Sequence, residues 1–123
     1  MFQWIGIDHV QIAVPAGCEE EARRFYGDIL RMSELPKPAV LSHRGGVWFQ
    51  CGHHQLHIGV QEDFHPATKT HPAFEVSDLN RLREQLSRHR VTMKEDVPLS
   101  GILRVHVNDP FGNRLEFVET RKG

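Results

Sequence analysis

Cysteine is scarce in this chain: Cys18 and Cys51 are the only two in 123 residues. They form neither a Cys-x-x-Cys pair nor a disulfide framework, and no activating base sits beside either. Both are expected to be reduced thiols. Long hydrophobic runs are also missing. No stretch approaches the roughly 20 apolar residues that a transmembrane helix needs. Residues 1–6 have no charged flank and no apolar core of the secretory type. Neither sign of charge dominates, because 15 Lys and Arg stand against 16 Asp and Glu, for a net charge of -1. That balance offers no electrostatic footing for nucleic acid or a membrane surface. These absences lead to the expectation of a cytoplasmic protein with neither kind of partner. The chain is long enough for one domain, residues 1–123, with a real core. Its 39% hydrophobic and 25% charged content is ordinary for a globular protein.

Histidine is what the chain has in excess, with nine residues. Surface histidines are common, so position matters more than number. His9 opens the segment His9-Val10-Gln11-Ile12-Ala13-Val14, and His71 opens His71-Pro72-Ala73-Phe74-Glu75-Val76. Each has apolar residues at alternate positions and a helical pattern soon after. A second pair of segments also matches, Leu56-His57-Ile58-Gly59 and Leu115-Glu116-Phe117-Val118. Ligand-type residues therefore recur at equivalent places in two halves of about 60 residues, a period suited to a structural repeat.

The periodicity predicts the same order in each half: strand, helix, then three strands. In the first module, about residues 1–62, alternation predicts a strand over 5–14 and a helix over 19–31. Ala22, Phe25, Tyr26, Ile29 and Leu30 share one side of that helix, and Glu19, Glu20 and Glu21 occupy its first turn. Residues 32–38 read as a loop with two prolines. Strands are expected near 39–43, 46–51 and 55–61. A polar connector over 62–70 leads to the second module, about 70–120. There a strand over 71–76 precedes a helix capped by Ser77 or Asp78. Strands near 91–95, 102–108 and 114–119 follow, the last two joined by a turn over 108–113.

Alternation also sets which way each side chain points. Val10, Ile12 and Val14 share one face, as do Leu56, Ile58 and Val60, and as do Leu115 and Phe117. These apolar sets should pack beneath the helices. His9, His57, His71 and Glu116 all fall on the opposite parity, where they could line one cup. Three imidazoles and a carboxylate suit a divalent transition metal (zinc, nickel, iron, manganese or cobalt) better than calcium or magnesium. Gln11, Arg104 and His106 share that parity and could position a substrate. His43, His53, His54, His65 and His89 lie in loops or at a helix end and read as surface residues.

The segments Asp8-His9-Val10-Gln11-Ile12-Ala13-Val14, Arg24-Phe25-Tyr26, the run from His71 to Leu79, and Asp109-Pro110-Phe111-Gly112-Asn113-Arg114-Leu115-Glu116-Phe117 resemble the vicinal oxygen chelate superfamily over nearly the whole chain. That grouping includes glyoxalase I, methylmalonyl-CoA epimerase, extradiol dioxygenases, fosfomycin-modifying thiol transferases and bleomycin-binding proteins. The resemblance implies an α+β fold of two tandem βαβββ modules, with cupped mixed sheets and helices on the outer face. It implies metal ligation by His9, His71 and Glu116, with His57 in a fourth position that varies across the family. It also implies a homodimer with each site built from one module of each subunit.

The resemblance further implies a metal-dependent enzyme acting on a small oxygen-rich substrate, with a glyoxalase-like lyase or isomerase as the leading reading. In that reading Glu116 is both ligand and proton carrier. The sequence departs from each named member. Glyoxalase I has a glutamate where His57 stands and an arginine where Ala13 stands. Fosfomycin transferases have a threonine where Gln11 stands. A thiol transferase, with a thiol cosubstrate, and an extradiol-type dioxygenase are therefore the alternatives. A metal-free module that binds a drug or metabolite is a third, motivated by Trp48, Phe49, Phe64 and Phe111 near the expected cup.

Overall fold

The computed structural model describes residues 1–120. The first half contains β1 (His9–Val14), a helix α1 that starts at Glu19–Ala22 and continues in wider π-type turns over Arg23–Ile29, β2 (Ser33–Leu35), β3 (Val47–Cys51) and β4 (His54–Val60). The second contains β5 (Ala73–Glu75), α2 (Leu79–Arg88), β6 (Met93–Lys94), β7 (Ile102–Asn108) and β8 (Arg114–Thr120). Two four-stranded mixed sheets result, in the orders β1-β4-β3-β2 and β5-β8-β7-β6. The expected pair of βαβββ modules is present. In each sheet the first strand runs parallel to the last, while the other neighbours are antiparallel.

The parity argument holds through the core. Ile12, Val14, Leu56, Ile58, Val105, Val107, Leu115 and Phe117 are buried, in one cluster with Ala22, Phe25 and Tyr26 of α1 and Leu79 and Leu86 of α2. The helices cover the apolar faces and leave the other two faces free to carry polar side chains. Asp78 takes the N-cap of α2, its carboxylate accepting the Arg81 N–H at 3.1 Å. Glu119 of β8 accepts the Leu79 N–H at 2.8 Å, which ties the helix start to the sheet. Both cysteines are free thiols, and burial raises the pKa of each.

One buried knot joins the halves. The Tyr26 hydroxyl donates to Asp109 at 2.7 Å, and Asp109 also accepts the Phe111 and Asn113 N–H groups at 2.9 and 2.8 Å. The Asn113 side-chain amide donates to the Ala13 carbonyl at 2.8 Å, and its oxygen accepts the Ala67 N–H at 3.1 Å. The Asp-Pro-Phe-Gly-Asn turn thus contacts α1, the end of β1 and the connector at once.

Several expected elements differ, among them the strand expected over 71–76, which shortens to β5. The strand predicted over 5–14 forms only from His9, because His9 already pairs with Gln55 near the start of β4. Residues 5–8 run past that start and have no ladder partner, so Trp4, Ile5 and Ile7 stand exposed. The strand predicted near 39–43 is a 3₁₀ segment, Ala39–Arg44, entered through Pro38 with Val40 exposed. The missing strand is β2, inside the predicted 32–38 loop; it pairs with β3 through Ser33↔Gln50 and Leu35↔Trp48 and stops before Pro36, which has no N–H to offer. The strand expected near 91–95 shortens to β6. Among the described residues, no helix is long and apolar enough to cross a membrane.

Candidate metal centre

Strand register shows that the repeat is geometric as well as sequential. Gln11 of β1 sits opposite His57 of β4, with His9 two residues before Gln11. Ala73 of β5 sits opposite Glu116 of β8, with His71 two residues before Ala73. His9 and His71 are therefore equivalent, as are His57 and Glu116. One strand further in, Trp48 pairs with His57 and His106 pairs with Glu116. The repeat thus sets a tryptophan in one half against a histidine in the other.

In the first sheet, His57 is sandwiched. Its ring lies 3.8 Å from the Trp48 ring at an interplanar angle of 3°, and 4.1 Å from the His9 ring at 18°. Burial lowers the His57 pKa and the neighbouring His9 lowers it further, against a weaker opposing effect of Asp8. That favours the neutral imidazole a metal needs. Gln11 lies across Gly59, where a Cβ would come within 2.1 Å of its amide nitrogen. A side chain there would push Gln11 out of this position.

In the second sheet, His71, His106 and Glu116 bring their ligand atoms within 4.8 Å of one another, the one such grouping among the described residues. His71 Nε2 lies 2.8 Å and His106 Nε2 3.2 Å from Glu116 Oε1. Glu116 is buried, which by itself raises its pKa. Hydrogen bonds from His71 and His106 and the charges of His106 and Arg104 outweigh that and hold the carboxyl below its ordinary value. His106 Nε2 also lies 3.2 Å from Arg114 Nη2. It accepts from Arg114 or donates to Glu116, depending on where the ring proton sits.

Each of the three aligned histidines has one ring nitrogen held by an oxygen. His9 Nδ1 lies 3.0 Å from Asp8 Oδ2, His57 Nε2 lies 2.9 Å from Gln55 Oε1, and His71 Nδ1 lies 2.9 Å from the Lys69 carbonyl. Donation to those oxygens sets the tautomer of His9 and His57 and leaves the other nitrogen's lone pair for a cation, the usual outer-shell arrangement of a ligating histidine. In His71 the other nitrogen, Nε2, is turned to Glu116 Oε1, and a cation held between the two would replace that hydrogen bond. With a carboxylate held ionised, this donor set fits a divalent transition metal.

The structure brings the expected residues together as two pairs, His9 with His57 and His71 with Glu116; neither His9 nor His57 joins the grouping in the second sheet. His106 contacts Glu116 directly. Arg104 Nη1 lies 3.7 Å from Glu116 Oε2. Of the aromatics expected near the cup, Trp48 lines this face through its stack on His57, whereas Phe49 is fully buried in the core beneath the helix and Phe111 packs against that core. The sequence reading missed Arg114 and Asp96. Arg114 has the parity of Glu116 and was findable by it. Asp96 lies in a loop, where no periodicity points inward.

Among solved structures, the chain matches a glyoxalase family protein from Bacillus anthracis at 48% identity and a TM-score of 0.94, covering 98% of this chain and 100% of that one. It is also similar to a lactoylglutathione lyase from Agrobacterium tumefaciens (16% identity, TM-score 0.74, 94% of this chain and 93% of that one). A third match is the fosfomycin resistance protein FosX from Listeria monocytogenes (16% identity, TM-score 0.75, 94% and 91%). These last two likenesses establish the fold alone. No family model and no curated protein matches the chain.

Proposed function

Because the chain belongs to the glyoxalase family, within the vicinal oxygen chelate superfamily, we propose that it is a metal-dependent enzyme acting on a small oxygen-rich substrate, with a glyoxalase-like lyase or isomerase reaction. The observation that carries this reading is the register-matched set His9, His57, His71 and Glu116, each histidine with its second nitrogen held by an oxygen. A metal bound there supplies Lewis acidity that stabilises an enolate or oxyanion. Glu116 is a ligand first, since its lowered pKa suits an anionic donor. It takes the substrate proton when the substrate displaces it. Gln11, Arg104 and His106 surround the reacting end and orient it.

The division into two pairs supports a homodimer in which the first sheet of one protomer faces the second sheet of its partner and completes the ligand set. The exposed apolar residues Phe2, Trp4, Ile5 and Ile7 ahead of β1 suit contact with that partner. The lyase named on one structural neighbour is compatible with this reading.

The test is metal content in protein purified without chelator, beside a His71→Ala/Glu116→Ala control. The expected result is about one transition metal per chain, lost in the control, together with metal-dependent exchange of an α-proton in deuterated water on a hemithioacetal. Zinc or nickel fits the lyase or isomerase. Iron or manganese shifts the assignment toward extradiol dioxygenation or thiol transfer. Failure to take up any of these metals on reconstitution overturns the reading in favour of a metal-free binding module.

A further inference from the structure

Beside the candidate ligands, three donor side chains converge on one carboxylate. Asp96 Oδ2 lies 3.5 Å from Arg114 Nη2, 3.7 Å from Arg104 Nη2 and 3.7 Å from His106 Nδ1. The donors are rooted on adjacent strands: Arg104 and His106 on β7, Arg114 on β8. Their side chains are 16%, 5% and 27% exposed. They form a recessed wall, and His106 and Arg104 within it also contact Glu116.

Asp96 fits this wall poorly. All three separations exceed hydrogen-bond length, so it contributes charge without a donor–acceptor match. Its other oxygen is turned back to accept the Val97 N–H at 2.6 Å. The segment carrying it joins β6 to β7 and exposes Val97 and Leu99. Its neighbour Glu95 is held to α2 by the Arg83 fork at 2.7 and 2.9 Å, and beyond that the segment is tied to the sheet at two places. Arg104 donates to the Val97 carbonyl at 2.7 Å, and Leu99 bridges to Ile102 beside Gly101 in the left-handed region. Arg104 Nε and Nη2 already donate to the Val97 carbonyl at 3.3 and 2.7 Å. It is therefore the remaining Arg104 N–H groups and the Arg114 fork that offer a free carboxylate, able to approach to bonding distance, more than Asp96 takes from them.

We propose that Arg104, Arg114 and His106 form a pocket for the carboxylate of the substrate, and that Asp96 occupies it as a displaceable plug in the free protein. The substrate is then a small carboxylic acid bearing a neighbouring oxygen. Its carboxylate displaces Asp96 from the arginines, while the oxygen reaches the adjacent metal ligands. This rests on the metal reading for the second contact only; the pocket lies within the second sheet of a single chain.

The test is calorimetric titration of malonate and of inorganic phosphate into the full chain freed of metal by chelator and dialysis. The wild type is compared with Asp96→Asn, Asp96→Asn/Arg104→Gln and Asp96→Asn/Arg114→Gln. Thermal melts check folding, and Arg114→Lys preserves charge while removing the fork. The expected result is malonate binding about two- to fivefold tighter in Asp96→Asn than in wild type, the scale of removing a partly exposed competing charge. Loss of that gain is expected in both arginine double variants, with a partial return in Asp96→Asn/Arg114→Lys. Equal malonate affinity in wild type and Asp96→Asn overturns the plug. Binding indifferent to both arginines overturns the pocket. Phosphate binding tighter than malonate overturns the carboxylate assignment. Because the measurement is made without metal, its outcome is independent of whether the metal reading stands.

Discussion

Replacing Tyr26 with phenylalanine tests the knot that joins the two modules. The ring is fully buried and packs edge-on against Phe25, and the substitution keeps both features. It removes only the hydroxyl, which donates to Asp109 Oδ2 at 2.7 Å. Asp109 keeps the Phe111 and Asn113 N–H bonds on Oδ1, but Oδ2 is left with the Asn113 amide alone at 3.1 Å. A buried hydrogen bond to a carboxylate contributes about 1.5–3 kcal/mol. Urea unfolding of Tyr26→Phe should therefore lose ~1.5–3 kcal/mol with an unchanged m-value, and Tm should fall by roughly 5–12 °C for a domain of this size. A second readout is spectroscopic, since Tyr26 is the sole tyrosine of the chain. Burial raises its pKa well above the ordinary 10.0, and the Asp109 charge and hydrogen bond add to the rise. With the folded value raised, the phenol's contribution to stability is whole below the unfolded pKa and is lost as pH climbs beyond it. Tyrosinate absorbance should stay absent from the native protein just above pH 10 and appear on unfolding. A loss under about 0.5 kcal/mol, the level of an ordinary surface change, or tyrosinate forming in the folded chain at the ordinary value, would refute the assignment of this bond as a structural link.

Gly46→Ala should cost about 2–4 kcal/mol in urea unfolding, combining overpacking with a positive φ. A Cβ there meets the Ile58 carbonyl oxygen at 2.1 Å, with φ at +88°. Gly52→Ala, with φ at +57° but nothing within 4 Å, should cost only about 1 kcal/mol. Equal losses at the two positions would show that backbone conformation, not the close approach, decides. In a Trp4→Phe background, zinc titration should change Trp48 emission, because the indole is stacked on His57 at 3.8 Å. His57→Ala should abolish that response, and an unchanged titration would remove His57 from the ligand set.

The face of each strand was legible because alternation fixes direction residue by residue, whatever the distant partner. The buried set of Ile12, Val14, Leu56, Ile58, Leu115 and Phe117 follows from parity alone. The equivalence of His9 with His71, and of His57 with Glu116, was visible as a repeat, and strand register bears it out. Pairing was harder to read. β2 has three residues and no apolar alternation, and only its partner β3 makes it a strand. Residues 5–8 alternate well yet stay single, because a strand needs a neighbour as well as a pattern. Parity also says nothing of which neighbour fills a face. Nothing in the sequence predicted that Trp48 lies flat on His57, or that a loop carboxylate reaches Arg104 and Arg114.

The repeat also shows where the halves have diverged. At the equivalent inner position the first sheet carries Trp48 and the second His106, and at the neighbouring register-matched position the first carries His57 and the second Glu116. The first half-site is thus a stack of aromatic rings whose central imidazole is biased toward neutrality. The second is a charged lattice of Glu116, His106, Arg104, Arg114 and Asp96. In the proposed dimer, a site assembled from both would have an apolar wall facing an ionic one, with the candidate ligand pairs beside each. Such a surface discriminates the two ends of a small molecule. Its charged end gains most against the arginines, where partial burial strengthens each interaction. Its uncharged end gains most against the indole. Orientation would then come from the divergence at Trp48 and His106, while the candidate ligand positions come from the strand register that the halves share.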